Sequence, residues 1–281
     1  MLSKRLAVLL AVVSLAALVL LQRAANLPRA HAMLSALFAG DAEPPWVGPA
    51  AVSFLKVSPV LVCQVLWLSP LPTARTVVRR RSTEGLPPLG WFSMLANGFL
   101  WTVYGWTAGP DLTIIVPNVS GLLAGAGYTA IFLRYDSGRF ATRPYVTGLA
   151  ATLAAVMLVA IALPRAQAQR TLGLAGVAVC VAMFSGPLQV IRTVIATQST
   201  RDLPFPTAVA TVANCSLWLL FGSLVRHDVF VWAPNLLGLG AGIAQLCLFA
   251  RYGIHSGKGP VDARGGGCAD HAKLGAGDLA V

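Results

Sequence analysis

The sequence predicts an all-α membrane protein of seven transmembrane helices, arranged as two parallel three-helix repeats joined by one linker helix. The chain of 281 residues is 56% hydrophobic and only 11% charged, whereas soluble domains carry about 25% charged residues. Apolar segments of about 20 residues, the length that crosses a bilayer, follow one another along the chain. Residues 171–252 repeat residues 54–135 without a gap, and about a third of the aligned positions are identical.

The apolar segments group into threes because of this repeat. They cover residues 50–70, 88–106, 112–133, 144–163, 171–192, 203–225 and 229–250. Three crossings leave a repeat on the opposite side of the membrane from its start, and the unpaired fourth segment returns the chain to the first side. We therefore predict parallel repeats over 48–135 and 171–252 and a linker region over 136–170. A duplication in an apolar chain indicates a transporter with two related halves around a central site.

Both ends of the chain are predicted to lie outside the repeats. Lys4 and Arg5 precede an apolar run, and Ala30-His31-Ala32 has the small-x-small form of a cleavage site. Residues 1–47 are therefore interpreted as a signal peptide or an anchor with an extension, and an organelle pre-sequence stays open as well. The glycine-rich residues 253–281 are predicted to form a disordered cytosolic tail.

The basic residues indicate how the chain is oriented. Thirteen of them fall on one set of loops and the tail, and three, Arg165, Arg170 and Arg226, fall on the other set. By the positive-inside rule the C-terminus is cytosolic. The net charge of +11 is spread over short loops without a basic face, so nucleic acid is excluded as a partner. We expect an integral protein of the plasma membrane, with the Golgi, vacuolar and plastid membranes as alternatives.

Two kinds of polar or aromatic side chain recur at equivalent positions inside the segments. Asn118 and Asn235 each follow a proline, and an amide both donates and accepts hydrogen bonds. Two amides facing each other across a pseudo-twofold axis would bind hydroxyl groups; the alternative is that they cap carbonyls freed by the prolines. Trp101 and Trp218 lie in mid-segment, away from the interface where tryptophan usually lies. They would stack on the C–H face of a sugar, or else pack helices together.

Other residues bear on mechanism. Four prolines near segment ends are equivalent in pairs and are interpreted as hinges or kinks, with loop turns as the alternative: Pro70, Pro87, Pro187 and Pro204.

No Asp, Glu or His lies within a predicted segment, which favours transport without proton coupling. The cysteine spacing matches no metal site, and no segment holds a nucleophile–base pair, so we expect no cofactor, no metal and no enzymatic activity.

Longer patterns carry a resemblance to a known family. The first copy reads P-L-P-T…R-R-S-T-E-G-L-P…N-G-F-L-W-T-V-Y-G…D…P-N, and the second reads P-L-Q-V-I…T-Q-S-T…L-P-F…N-C-S-L-W-L-L-F-G…D…P-N-L-L-G. Over residues 50–253 the chain resembles the SWEET (MtN3/saliva) sugar transporters. The resemblance implies a 3+1+3 helix fold and facilitated, bidirectional movement of a mono- or disaccharide by alternating access.

The resemblance also implies roles for particular residues. The implied substrate-binding residues are Asn118, Asn235, Trp101, Trp218, Cys63, Leu66, Cys180 and Met183. The implied hinges are the four prolines named above, and the implied outer gate consists of Tyr104, Phe221 and Asp228. Two features depart from the family: the N-terminal extension is long, and Phe221 stands where the family has a tyrosine, so a hydroxyl contact is lost.

The expected substrate is a hexose, because two tryptophans leave less room than two small residues. Two alternatives stay open. One is a PQ-loop carrier of amino or organic acids, whose signature Pro187-Leu188-Gln189 matches only in part. The other is a non-transporting seven-helix sorting receptor. The sequence also leaves open which sugar is carried and whether the chain forms a homo-oligomer.

Overall fold

The computed structural model describes residues 47–200, 203 and 205–254, apart from the side chains of residues 182–190. Residues 1–46 of the predicted signal or anchor region, Pro204 and residues 255–281 of the predicted tail lie outside the described residues. The described residues form helices and no strand, so the all-α prediction is confirmed. The helices are α1 (Pro49–Leu68), α2 (Leu71–Arg80), α3 (Leu89–Thr107), α4 (Leu112–Arg134), α5 (Thr142–Ala162), α6 (Arg165–Thr197), α7 (Phe205–Leu220) and α8 (Val229–Tyr252).

Each of the seven predicted segments corresponds to one long helix, but α6 begins at Arg165, six residues before its predicted segment, and ends at Thr197, five residues beyond it. Five helical stretches are long and apolar enough to cross a membrane by length and composition: Pro49–Arg80, Leu112–Arg134, Thr142–Ala162, Phe205–Val225 and Val229–Tyr252. Helices α3 and α6 correspond to the other two segments. Short helix α2 was not among the predicted segments; it forms because the chain turns at Ser69-Pro70 and Pro72 lies in the first helical turn, where its missing N–H costs nothing.

Aspartates start the third helix of each half in the same way. The Asp111 carboxylate accepts a hydrogen bond from the Thr113 N–H at 2.9 Å, and the Asp228 carboxylate accepts one from the Phe230 N–H at 3.0 Å. Each side chain thus satisfies a backbone donor that the first helical turn leaves without an intrahelical partner. The two caps fix where α4 and α8 begin, and so fix the position of the Pro-Asn pair two turns further on.

Helix α3 packs against α4 through glycines. A Cβ atom added at Gly98 would lie 2.5 Å from the Leu122 backbone nitrogen, and one at Gly125 would lie 2.7 Å from the Leu95 nitrogen. Small residues at such crossings let two helix backbones approach within van der Waals contact in a membrane. This close packing holds α3 and α4 in a fixed register, so that Trp101 of α3 and Asn118 of α4 line the same central space.

Candidate substrate cavity

A cavity of about 310 Å³ lies between helices of the two halves. This volume is at the lower end of the range of about 300–1,000 Å³ for small-molecule sites. The cavity brings together seven of the eight predicted binding residues; Met183 belongs to the stretch of α6 whose side chains are not described. The lining residues are Cys63, Leu66, Trp67, Asn97, Trp101, Ile114, Asn118, Cys180, Thr211, Asn214, Cys215, Trp218, Val231 and Asn235.

The cavity wall follows the sequence repeat. Ten of the fourteen lining residues form five pairs separated by 117 positions, since 180 − 63, 214 − 97, 218 − 101, 231 − 114 and 235 − 118 all equal 117. Leu66 and Trp67 would pair with Met183 and Phe184, which fall in the stretch without described side chains. Only Thr211 and Cys215 have counterparts, Met94 and Gly98, that are not among the lining residues. The cavity is therefore built by the same positions of both repeats.

The two Pro-Asn amides adopt the same geometry. Asn118 Nδ2 donates to the Ile114 carbonyl at 2.7 Å, and Asn235 Nδ2 donates to the Val231 carbonyl at 2.7 Å. The carbonyl that Pro117 frees is that of Thr113, one residue earlier, so the amides do not cap the freed carbonyls. Each amide is instead tied to its own helix by one N–H. An amide carries two donors and an acceptor oxygen, so each keeps an oxygen and a second N–H with which to bind a ligand.

An indole and a thiol connect the two halves across the cavity. The Trp218 Nε1–H donates to Cys63 Sγ at 3.3 Å, and the Cys63 thiol donates to Asn214 Oδ1 at 3.3 Å. The equivalent pair, Trp101 of the first half and Cys180 of the second, also interacts across the cavity. Because the Trp218 N–H is engaged at the wall, the apolar faces of its ring remain available to a ligand.

Each tryptophan ring is supported by the aromatic residue three positions later. Trp101 packs edge-on against Tyr104, with ring centroids 5.2 Å apart, and Trp218 packs edge-on against Phe221 at 5.8 Å. A Cβ atom at Gly176 of α6 would lie 2.8 Å from Trp101 Cζ2, so this glycine makes room for the ring. The two indole rings are therefore held in defined positions at the wall of the cavity.

That end is closed in this structure. We name it the gate end: it is where α3 ends and where α4 and α8 begin. The Tyr104 hydroxyl donates to Asp228 Oδ2 at 2.5 Å, which joins α3 to α8, and Gln169 of α6 contacts the same hydroxyl. Tyr104 is 0% exposed and Phe221 is 1% exposed. The predicted gate residues thus lie together, directly beyond the two tryptophans.

Comparison with known proteins identifies the family. The sequence model of a family described as "Sugar efflux transporter for intercellular exchange" (MtN3_slv) matches residues 53–139 and, a second time, residues 170–256. The two matches together cover more than half of the chain. The chain belongs to the SWEET (MtN3/saliva) family.

Similar SWEET proteins include two plant relatives and one solved structure. The bidirectional sugar transporter SWEET15 of Oryza sativa subsp. indica is 36% identical over 197 residues, which are 68% of this chain and 61% of the relative. SWEET7 of Arabidopsis thaliana is 32% identical over 196 residues, 66% of this chain and 75% of the relative. The structure of a eukaryotic SWEET transporter matches with a TM-score of 0.65 and 27% identity, over 72% of this chain and 96% of that one.

Three polar residues of this SWEET cavity were missing from the predicted site: Asn97, Asn214 and Thr211. Asn97 and Asn214 line it, and Asn97 is 9% exposed with a buried Oδ1 that accepts no hydrogen bond within the described part of the chain. A signal was present, because the two amides align in the repeat and precede Trp101 and Trp218 by four residues, one helical turn. Thr211 had no such signal, since its counterpart is Met94.

The predicted hinge prolines of the SWEET chain mark helix boundaries in its first half. Pro70 lies between α1 and α2, and Pro87 lies in the turn just before α3. Pro187 falls within the bounds of the long helix α6. Pro87 precedes the first residue of α3, whereas the gate end is where α3 ends, and we name this opposite end the proline end.

Proposed function

We propose that this SWEET chain is a facilitative, bidirectional uniporter of a hexose. The observation that carries the proposal is the central cavity, whose wall is made by five pairs of equivalent residues from the two repeats and whose gate end is closed by Tyr104 and Asp228. A site between two related halves that is closed at one end is suited to alternating access.

The lining chemistry suits a neutral, hydroxylated ligand. Asn118 and Asn235 offer amide oxygens and N–H groups to hydroxyls, Asn97 offers a buried acceptor oxygen, and the faces of Trp101 and Trp218 offer apolar surface to the C–H groups of a pyranose ring. None of the fourteen lining residues is Asp, Glu, His, Lys or Arg. A charged amino acid or organic acid would lose its hydration without meeting an opposite charge, which is costly in an apolar interior. The composition therefore favours a sugar over these solutes.

The size of the cavity favours a monosaccharide. Its volume of about 310 Å³ is small for a ligand site, and two bulky indoles, Trp101 and Trp218, line it. We propose that glucose or a similar hexose binds with its apolar face against the indoles and its hydroxyls on the amides.

In the proposed cycle two three-helix units, residues 48–135 and 171–252, rock about the cavity while residues 136–170 connect them. Opening at the gate end would break the Tyr104–Asp228 hydrogen bond, and opening at the proline end would use Pro70, Pro87, Pro187 and Pro204 as hinges. We place the gate end outside the cytosol and the C-terminus inside, in the plasma membrane. Because the lining offers no acidic or imidazole group, the driving force is the sugar gradient alone.

The test is uptake of a panel of radiolabelled solutes by yeast that lacks hexose uptake. The panel contains glucose, sucrose, a neutral amino acid and a dicarboxylate, and cells expressing the Asn118→Ala, Asn235→Ala variant are the matched control. Glucose uptake that depends on the native chain and is lost in the control supports the proposal. Uptake of the amino acid or dicarboxylate, without uptake of any sugar, contradicts it.

A further inference from the structure

The gate end contains two aspartates at equivalent positions, Asp111 and Asp228. Each uses Oδ1 to cap the helix that it precedes, which leaves Oδ2 to bind a partner from the opposite half. Asp228 Oδ2 accepts the Tyr104 hydroxyl. The residue equivalent to Tyr104 is Phe221, which has no hydroxyl to give to Asp111. The second half therefore lacks the hydrogen bond that the first half makes.

Arg226 occupies the place of that missing contact. Its Nε lies 3.5 Å from Asp111 Oδ2, and the two side chains are only 19% and 17% exposed. Its Nη2 donates to the Ala108 carbonyl at 2.7 Å and lies 3.5 Å from the Gly109 carbonyl oxygen. These carbonyls follow the last turn of α3, where backbone acceptors lack intrahelical donors and a cation is stabilised. One guanidinium thus joins the end of α7 to both the end of α3 and the start of α4.

The backbone at this point differs between the halves. Helix α7 continues into a π-helical turn, Phe221–Val225, in which the Arg226 N–H bonds to the Phe221 carbonyl at 2.9 Å. The equivalent turn of α3 is α-helical, with the Ala108 N–H bonded to the Tyr104 carbonyl at 2.8 Å. A π turn holds one extra residue and changes the direction of the side chains after it, and such turns are frequent at functional sites. Here it precedes the residue that reaches across to α3 and α4.

We propose that Arg226 is the second latch of the gate: its ion pair with Asp111 holds the gate end closed in place of the hydroxyl that Phe221 lacks. This inference rests on the alternating access of the proposed function. Arg226 does not touch the cavity, so its role is to position the two halves rather than to bind the sugar. The gate end is then held by one hydroxyl latch, Tyr104 on Asp228, and one guanidinium latch, Arg226 on Asp111.

The test measures how fast a membrane-impermeant thiol reagent reaches the cavity thiols Cys63, Cys180 and Cys215. The full chain carries Cys247→Ala and Cys268→Ala to remove the thiols outside the cavity. Right-side-out and inside-out vesicles are compared, so that the reagent meets one end of the protein at a time. No sugar is needed, so the result does not depend on whether the chain carries sugar.

Arg226→Ala should speed labelling from the gate end roughly tenfold, the shift expected when one charge-assisted contact is removed from one of two states. Adding Phe221→Tyr to Arg226→Ala should slow labelling back toward the native rate, because the new hydroxyl can bond to Asp111. The exposed Arg170 of α6 supplies the control, and Arg170→Ala should label like the native chain. The proposal would be overturned if the Arg226→Ala variant were labelled at the native rate. It would also be overturned if the double variant were labelled as fast as the Arg226→Ala variant.

Discussion

The two halves of this SWEET chain are alike around the cavity and unlike at the gate end. Around the cavity, Asn118 and Asn235 donate to the carbonyl four residues earlier at the same distance of 2.7 Å, and five residue pairs occupy equivalent positions. At the gate end, one half contributes a tyrosine hydroxyl and the other a phenylalanine, a π turn and an arginine. The residues that line the cavity are therefore repeated in both halves, whereas the contacts that close the gate end differ between the halves.

The difference follows from what each region has to do. A ligand in the cavity meets both halves at once, so a change on one side alone leaves a buried polar group without a partner, at a cost of about 1–3 kcal/mol. In the proposed cycle, the gate has to hold the two halves together in one state only. A hydroxyl–carboxylate bond and a guanidinium–carboxylate pair can both do this, so the two sides of a gate can differ without changing the ligand site.

The largest expected effect comes from breaking the part that is symmetric. The Asn118→Ala, Asn235→Ala variant removes the two amides that we propose bind the sugar hydroxyls, and each single loss should weaken transport by about 1–3 kcal/mol. We expect sugar uptake in yeast to fall to background while surface expression persists, with the single variants affected about equally. Ser120→Ala, which removes an exposed hydroxyl bonded only to Val116 of its own helix, is the control. Normal uptake by the double variant would show that the two amides do not bind the substrate.

The second prediction concerns the volume between the tryptophans. Trp101→Ser, Trp218→Ser removes both apolar ring surfaces and enlarges the cavity, so glucose affinity should fall and sucrose should be admitted. The measurement is uptake of labelled glucose and sucrose by the native and variant chains. If the native chain carries sucrose as fast as glucose, the tryptophans do not limit the size of the substrate.

The third prediction compares removing one hydroxyl with adding one. Tyr104→Phe deprives the buried Asp228 Oδ2 of its donor, so the gate end should open more readily, and gate-end labelling of the cavity thiols should rise by a factor of roughly ten. Phe221→Tyr alone should change labelling little, because Asp111 is already paired with Arg226. Equal effects of the two substitutions would show that the gate is symmetric after all.

The smallest effect is expected from two equivalent glycines in the helix contacts. A Cβ at Gly125 would lie 2.7–2.8 Å from the backbone N and Cα of Leu95, whereas a Cβ at Gly242 would meet the side-chain Cγ2 of Val212 at 2.8 Å. A side chain can move where a backbone cannot, so Gly125→Ala should lower the thermal unfolding temperature in detergent more than Gly242→Ala. Overpacking of this kind costs about 1–3 kcal/mol. The reverse order would mean that α7 and α8 are the more rigid pair.

Much of the fold was predictable, because the apolar segments predict the helices and the sequence repeat predicts how they pair. The seven helices follow from the length of the apolar segments, and the pairing of Asn118 with Asn235 and of Trp101 with Trp218 follows from a single offset. Helix α2 was missed because its ten residues are too few and too rich in arginine to form an apolar segment. Asn97 and Asn214 were missed although the same offset pairs them, because they follow no proline.

The contact between Arg226 and Asp111 could not be predicted from the sequence. In the sequence Arg226 counted only as one of three basic residues on its side of the membrane, and its equivalent is Gly109. The loss of the hydroxyl at Phe221 could be seen from the sequence, but the replacement could not. It depends on a π turn that redirects the chain and on a contact between residues 115 positions apart, neither of which leaves a periodic pattern.

The most direct test of the central claim is sugar counterflow in proteoliposomes that contain the purified full chain. Vesicles loaded with unlabelled glucose should take up labelled glucose transiently and equally with or without a protonophore, and the Asn118→Ala, Asn235→Ala variant should show no counterflow. Accumulation of glucose above its external concentration that the protonophore abolishes, or counterflow that persists in the double variant, would contradict the account of a neutral cavity that equilibrates sugar across the membrane.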